Sequence, residues 1–289
     1  MSAARAIGLL LGAAADGVIG RGEPLAAFCG ALEGKRPAYT AGLVGGLVVA
    51  GIAVERATRR SPVLQAAGTA VATWAVLGGA GLAADGTSLA RDLEDGELDS
   101  ARDTLSGLDA RTTKSLDVIG LSRASVESVA QHTSDSVVAP MFWGAVAGIP
   151  GLLVSRVLSV LRGTRFAARL DELVNLVPTR VAAALTVTGA PVVGGSASGA
   201  WRAWRRDTTA HPSPNAGRIE AAFAGALEIR LGGRTVYPDG VAELPVLGDG
   251  RNPDAGHVTR AVELSRVVGL LTAVSSAVLA LLTGLRRSR

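Results

Sequence analysis

The stretch Val267–Leu285 reads VVGLLTAVSSAVLALLTGL, uncharged from end to end and flanked by Arg266 and Arg286. A helix crossing a bilayer needs roughly 20 mostly apolar residues, so this stretch predicts a membrane span. Ser61–Ala84, SPVLQAAGTAVATWAVLGGAGLAA, predicts a second. Working outward, Pro37–Val54 is just long enough, and Ala6–Ala15 is short enough to lie at the interface instead. Ser136–Ser155 contains Pro140 and Ile149-Pro150-Gly151, and Val181–Trp201 contains Pro191, Gly194-Gly195 and Gly199. Both of these are expected to be broken or re-entrant. The chain is therefore read as an all-α, multi-pass protein of the cell membrane with about four to six crossings. It forms one domain over residues 1–289, with polar helical sections at about 85–135 and 202–266.

Composition supports the same class. The chain is 48% hydrophobic, 19% charged and only 3% aromatic, with 37 glycines and a mean hydropathy of +0.34. Small side chains in that abundance suit helices that pack closely in lipid. The net charge of +4 comes almost entirely from arginine. The basic residues form no nucleic-acid stripe with aromatics between them, so the expected surface partner is the lipid bilayer and not nucleic acid. Cys29 is the sole cysteine, which excludes an internal disulfide and a cysteine metal site. The N-terminal apolar stretch runs on into Asp16 and reads as a retained helix. Arginines 56, 59, 60, 202, 205, 206, 286, 287 and 289 all favour the cytoplasmic side, and the last span separates two of those clusters.

The polar sections hold the candidate chemistry. Ser88–Leu105 reads as an amphipathic helix, and Ser122–Asp135 as another opened by Ser122 as N-cap. Helical spacing puts Glu127, Gln131 and Asp135 on one stripe, where two carboxylates suit Mg²⁺; the plainer reading is a solvated polar face. His132 beside them reads as structural. His211-Pro212-Ser213-Pro214-Asn215-Ala216-Gly217 leads into a helix over Arg218–Arg230, stopped by Gly232-Gly233. Its first-turn N–H groups, with Ser213, Asn215 and Arg218, suit a phosphate, whereas the plainer reading is a turn that caps a helix. Gly194–Gly199 lacks the Lys-Ser/Thr of a nucleotide loop and reads as helix packing or a span end. Asp171, Glu172, Asn175, Pro178 and Arg180 cluster just before an apolar segment, where charges face a site or anchor the helix.

In this order the segments resemble the CobD/CbiB family of cobalamin biosynthesis, the membrane-bound adenosylcobinamide-phosphate synthases. The resemblance is carried by Val126-Glu127-Ser128-Val129-Ala130, Asp135-Ser136-Val137-Val138-Ala139-Pro140-Met141-Phe142-Trp143 and Gly148-Ile149-Pro150-Gly151. Ala168–Arg180, His211–Gly217, Glu220–Leu227, Leu231-Gly232-Gly233 and Leu247-Gly248 continue it, so that it covers most of the chain from about Leu82 onward.

The resemblance implies a ligase that joins a propionate of adenosylcobyric acid to aminopropanol, or its phosphate, using ATP and Mg²⁺. A carboxylate is a poor electrophile, so such chemistry runs through an acyl phosphate and needs positive charge around the phosphoryl group. On this basis Glu127 and Asp135 are expected to hold the metal, and His211, Ser213, Asn215 and Gly217 the substrate phosphate. Arg180 or Arg218 supplies charge stabilisation and Asp171 positions the amine. The chain departs from the family pattern at Gln131-His132, where Glu-Asn is usual, and at Arg111-Thr112-Thr113, where Arg-Asp-Thr is usual. An Asn-Thr-Leu-Asp-x-Met segment is missing after Gly151, and the early Gly-Asp-Pro pattern is reduced to Gly20-Arg21-Gly22-Glu23-Pro24. These departures define a second reading, a homologue without turnover that binds corrinoid or nucleotide, or scaffolds other cobalamin-pathway enzymes at the membrane. A small transporter is a weaker third, because few ionisable residues lie inside the spans.

Overall fold

The computed structural model describes residues 2–20, 37–161, 165–238 and 240–287. Cys29, Arg21-Gly22-Glu23-Pro24 and Arg289 lie outside the described residues. Among the described residues the structure is all-α apart from one hairpin, and four helices are long and apolar enough to cross a membrane: Ser2–Ile19, Pro62–Asp95, Leu176–Val193 and Ala255–Gly284. The chain divides into two compact units.

The first unit comprises Met1–Gly81, Asp135–Pro178 and Gly269–Arg289. Helix α1 (Ser2–Ile19) packs along α3 (Pro62–Val76). A Cβ on Gly8 would sit 2.6 Å from the Ala66 carbonyl oxygen and the Thr69 Cβ, and one on Gly12 would collide with Thr73. Gly8 and Gly12 therefore form a small-residue stripe that lets the two backbones close, the close-packing device of helices in lipid. The helix continues past Ala15, further than a short interfacial element, because buried Asp16 is accommodated: its Oδ2 accepts the Ala80 N–H at 3.1 Å. Helix α2 (Pro37–Thr58) packs on α8 (Ile149–Val160).

The segment Ser136–Ser155 is broken as expected. A π-helical turn at Thr133–Val138 passes into α7 (Ala139–Ala147), which ends at Gly148 with φ +74° before α8 begins. That break is fixed by Glu55 of α2, which accepts the Ile149 N–H at 2.9 Å and two guanidinium bonds, from Arg5 at 2.6 Å and Arg59 at 2.9 Å. A side chain at Gly148 would collide with that carboxylate. Helix α9 (Arg165–Val174) follows, and the Trp143 indole donates to its Val174 carbonyl at 3.2 Å.

The second unit comprises Leu82–Ser134 and Thr179–Val268. Here α4 (Gly79–Asp95) and α5 (Leu98–Ser106) precede α6 (Val118–His132). Helix α6 starts earlier than Ser122, because Asp117 is the N-cap and accepts the Gly120 N–H at 2.8 Å, leaving Ser122 fully buried within the helix. Helix α10 (Leu176–Gly189) runs into a 3-10 turn at Ala190–Val193 and stops at Gly194 in the left-handed region. The glycine run beyond it is packing, as its sequence suggests. A Cβ on Gly199 of α11 (Ala197–Asp207) would sit 2.5 Å from the Gly225 carbonyl oxygen of α12 (Pro214–Leu227), and a Cβ on Gly225 would strike Gly199.

Two further boundaries differ from the sequence reading. Helix α12 ends at Leu227, capped by Glu228 at φ +58°, instead of continuing to Arg230. The residues after it form an antiparallel hairpin, β1 (Leu231–Tyr237) and β2 (Gly240–Leu247), in a section expected to be helical. Pairing runs from Leu231↔Leu247 to Tyr237↔Gly240 and slips between Leu231 and Gly233, where Gly232 and Gly233 both have positive φ. Only glycine adopts that pair of conformations cheaply, so the double glycine makes a bulge. The last helix, α13 (Ala255–Arg287), is 33 residues long.

Candidate functional site

The second unit gathers most of the predicted polar residues around the start of α12. Ser213 is extended, Pro214 occupies the first helical turn, and the Ser213 Oγ accepts the Ala216 N–H at 3.4 Å. The Gly217 N–H donates to the Ser213 carbonyl at 3.0 Å. Gly217 thus serves packing in place of phosphate approach, since a Cβ there would collide with the His211 side chain. His211 is pinned by its Nδ1, which lies 2.8 Å from the Ser213 carbonyl and 3.1 Å from the Ser213 nitrogen. Its Nε2 is buried, has no hydrogen-bond partner among the described residues, and points to Glu220 Oε2 at 3.8 Å.

Glu220, 2% exposed, is the residue the sequence reading passed over. Its Oε1 accepts from Gln131 Nε2 at 2.5 Å. Close by, Glu127 Oε2 accepts from Arg111 Nη1 at 2.5 Å, and Glu127 Oε1 accepts the Gly232 N–H at 2.6 Å. Arg111 also pairs with Asp109 at 2.7 Å, and Ser128 donates to the same Asp109 at 2.8 Å. Two carboxylates thus share one guanidinium. Burial first, and the Glu127 charge second, push the Glu220 carboxyl up to about 8. Burial opposes the charge on Arg111, but Glu127 and Asp109 outweigh it and hold the guanidinium firmly protonated. Glu220 therefore carries its proton at neutral pH.

The predicted metal stripe is rearranged. Glu127 has both oxygens engaged by Arg111 and Gly232, so its geometry is that of an anchor that ties α6 to β1 and not of a metal ligand. Gln131 faces Glu220. Asp135 lies past the end of α6, in the π-helical turn, where the wider winding takes it off the α-helical stripe. It belongs to the first unit. Among the described residues no group of three His, Cys, Asp or Glu side chains is placed to hold a metal ion. His132 is structural, with Nδ1 2.9 Å from the Ser128 carbonyl.

Arg218 stands one turn into α12, half-buried, and Arg180 in α10 is near enough for its charge to act on it. Burial, then Arg180, lower the pKa of Arg218 from the usual guanidinium value. Its Nη1 is buried and finds no hydrogen-bond partner among the described residues. Two like charges near a helix N-terminus, one with a buried donor that has no partner among the described residues, are an arrangement with which an anion is chemically compatible. Asp171 lies in α9 of the first unit, buried, with Oδ1 accepting from Asn175 Nδ2 at 2.8 Å.

Sequence spacing found Arg180, His211, Ser213, Asn215 and Arg218, which the second unit contains together. It missed Asp109, Arg111 and Glu220. The available signal was Glu220 itself, a lone acid in the otherwise small and apolar run from Ala221 to Leu227 that follows it. A charge in a stretch destined for burial needs a function or a partner.

Comparison with known proteins agrees with these segments. A family model described as "CobD/Cbib protein" matches residues 25–265. The chain is 45% identical to the cobalamin biosynthesis protein CobD of Mycobacterium tuberculosis, over 95% of this chain and 96% of that protein. It is 35% identical to the protein of the same name from Chromobacterium violaceum, over 76% of this chain and 73% of the relative. The Rhodobacter capsulatus CobD is 38% identical, over 62% and 60% respectively. No solved structure matches the chain.

Proposed function

Because the chain belongs to the CobD/CbiB family and so serves cobalamin biosynthesis, we propose that it ligates adenosylcobyric acid to aminopropanol or its phosphate in an ATP-dependent reaction. The observation that carries this reading is the Arg180–Arg218 pair, with its buried, unused guanidinium donor at the start of α12. A propionate oxygen attacks the γ-phosphorus of ATP, the bond to the β-phosphate oxygen breaks, and ADP leaves. The amine nitrogen then attacks the acyl carbon, a C–N bond forms, the C–O bond to phosphate breaks, and inorganic phosphate departs. Phosphoryl oxygens carry the developing charge in both steps, and we assign its stabilisation to Arg180 and Arg218. Ser213 shapes the seat by holding the first turn, and Asn215 lines it.

The amine must also lose a proton. His211 Nε2, which faces Glu220 at 3.8 Å, is the acceptor we assign. Mg²⁺ enters with ATP as substrate, and such sites need only one or two protein carboxylates. Asp135 and Asp171 lie in the first unit, where Asp171 already bonds Asn175, and we assign neither a role in the seat.

Purified full-length protein given adenosylcobyric acid, aminopropanol phosphate and Mg·ATP should form the amide with stoichiometric ADP and phosphate, detected by mass spectrometry. Absence of product from folded protein that still binds corrinoid or ATP would select the turnover-free reading instead. Asn215→Ala should lower ATP-dependent amide formation without unfolding the protein; an unchanged rate would remove Asn215 from the seat.

A further inference from the structure

Helix α11 begins a few residues after the candidate span Leu176–Val193. Its inner side, Gly199 with buried Ala200 and Ala203, is closed against α12. Its outer side carries Trp201, Arg202, Arg205 and Arg206 around an open hollow of about 600 Å³. Trp201 is 46% exposed and stands edge-on to Trp204, with ring centroids 5.2 Å apart. The Arg205 guanidinium lies 5.4 Å over the Trp201 ring.

Arg206 is neutralised by Asp207 and Asp249. Among the described residues, neither Arg202 nor Arg205 has a carboxylate within salt-bridge distance. The sequence expectation that no basic run carries aromatics fails here: Trp201-Arg202-Ala203-Trp204-Arg205-Arg206 interleaves them. A soluble ligand needs a concave site that buries most of its surface, and this hollow is open on its outer side. A lipid headgroup needs only one protein face, because the bilayer supplies the rest. Indoles settle at headgroup depth, and the guanidinium fork matches a phosphate.

We propose that the Trp201–Arg206 face of α11 binds the phosphate headgroups of anionic phospholipids at the end of the preceding span. The inference stands on the membrane reading and is independent of the ligase chemistry.

The full chain is placed in nanodiscs of phosphatidylcholine and phosphatidylglycerol, with brominated acyl chains on one lipid or the other, and tryptophan quenching is read. Brominated phosphatidylglycerol should quench more than brominated phosphatidylcholine at equal mole fraction. The excess should be absent in Trp201→Phe/Trp204→Phe, which assigns it to this face. Arg202→Gln and Arg205→Gln should each weaken the preference about fivefold, while Arg→Lys at both positions retains most of it. Equal quenching by the two lipids, or an excess that survives Arg202→Gln/Arg205→Gln, overturns the proposal. So does a fluorescence response to inorganic phosphate or a short single-stranded RNA in discs of phosphatidylcholine alone, which would give the face to a soluble anion.

Discussion

Each unit buries a glutamate, and the two are treated in opposite ways. Glu55 in the first unit accepts from two arginines and a backbone N–H, so that both its oxygens are taken. Glu220 in the second unit has one amide donor, a histidine 3.8 Å away, and two further acids in its surroundings. A buried charge with its partners complete holds helices in place; a buried acid left short of partners keeps its proton and remains able to exchange it. In the second unit Glu127 is saturated in the same way as Glu55, so that Glu220 is set apart by its own incomplete partners.

Glu55→Ala should have the largest effect on stability. It leaves Arg5 buried without its acid, and breaking such a pair costs about 3–5 kcal/mol. Thermal unfolding in detergent measures this, and a near-wild-type midpoint would place Glu55 outside the frame. Arg218→Gln should act on rate instead, with amide formation falling about 10²–10³-fold and the unfolding midpoint little changed. Loss of both together would make Arg218 structural and blur the contrast.

Glu220→Gln sharpens it through pH. The folded carboxyl titrates near 8 against an ordinary value of 4.5, so the folded state holds its proton longer than the unfolded chain. Below 4.5 both states are protonated and Glu220 contributes no pH dependence. Between 4.5 and about 8 stability falls as pH rises, by on the order of a few kcal/mol in all, and above that range the cost is constant. The Gln variant should lose this slope; an identical slope in both proteins would show that Glu220 is ionised at neutral pH. Activity should run the other way, rising toward pH 8 as Glu220 ionises and becomes able to take up a proton. Asp171→Asn should have the smallest effect, within about twofold on rate, because its carboxylate already serves Asn175.

The apolar frame was readable because lipid imposes length and composition on a helix, and Val267–Leu285 falls inside the last helix as predicted. Breaks at Gly148 and Gly194 were also readable, since proline and glycine mark them. Ala6–Ala15 was underrated because Asp16 reads as a stop until Ala80 arrives to bond it. The hairpin was missed although Asp239-Gly240 is a turn signal, because Leu231–Leu247 offers little strict alternation. Local spacing is enough to bring Ser213, Asn215 and Arg218 together, because they share one turn and the first turns of α12. The partnership of Glu220 with Gln131 spans 89 positions, and that of Glu127 with Gly232 spans 105, which no local period encodes.

The Glu55 anchor also bears on how the protein is made. Arg59 is one helical turn away, Arg5 is 50 positions earlier, and the Ile149 N–H is 94 positions later. Both arginines precede Ile149 in the chain, so the ion pairs of Glu55 need no residue beyond Arg59, whereas its backbone bond waits for Ile149 to be synthesised.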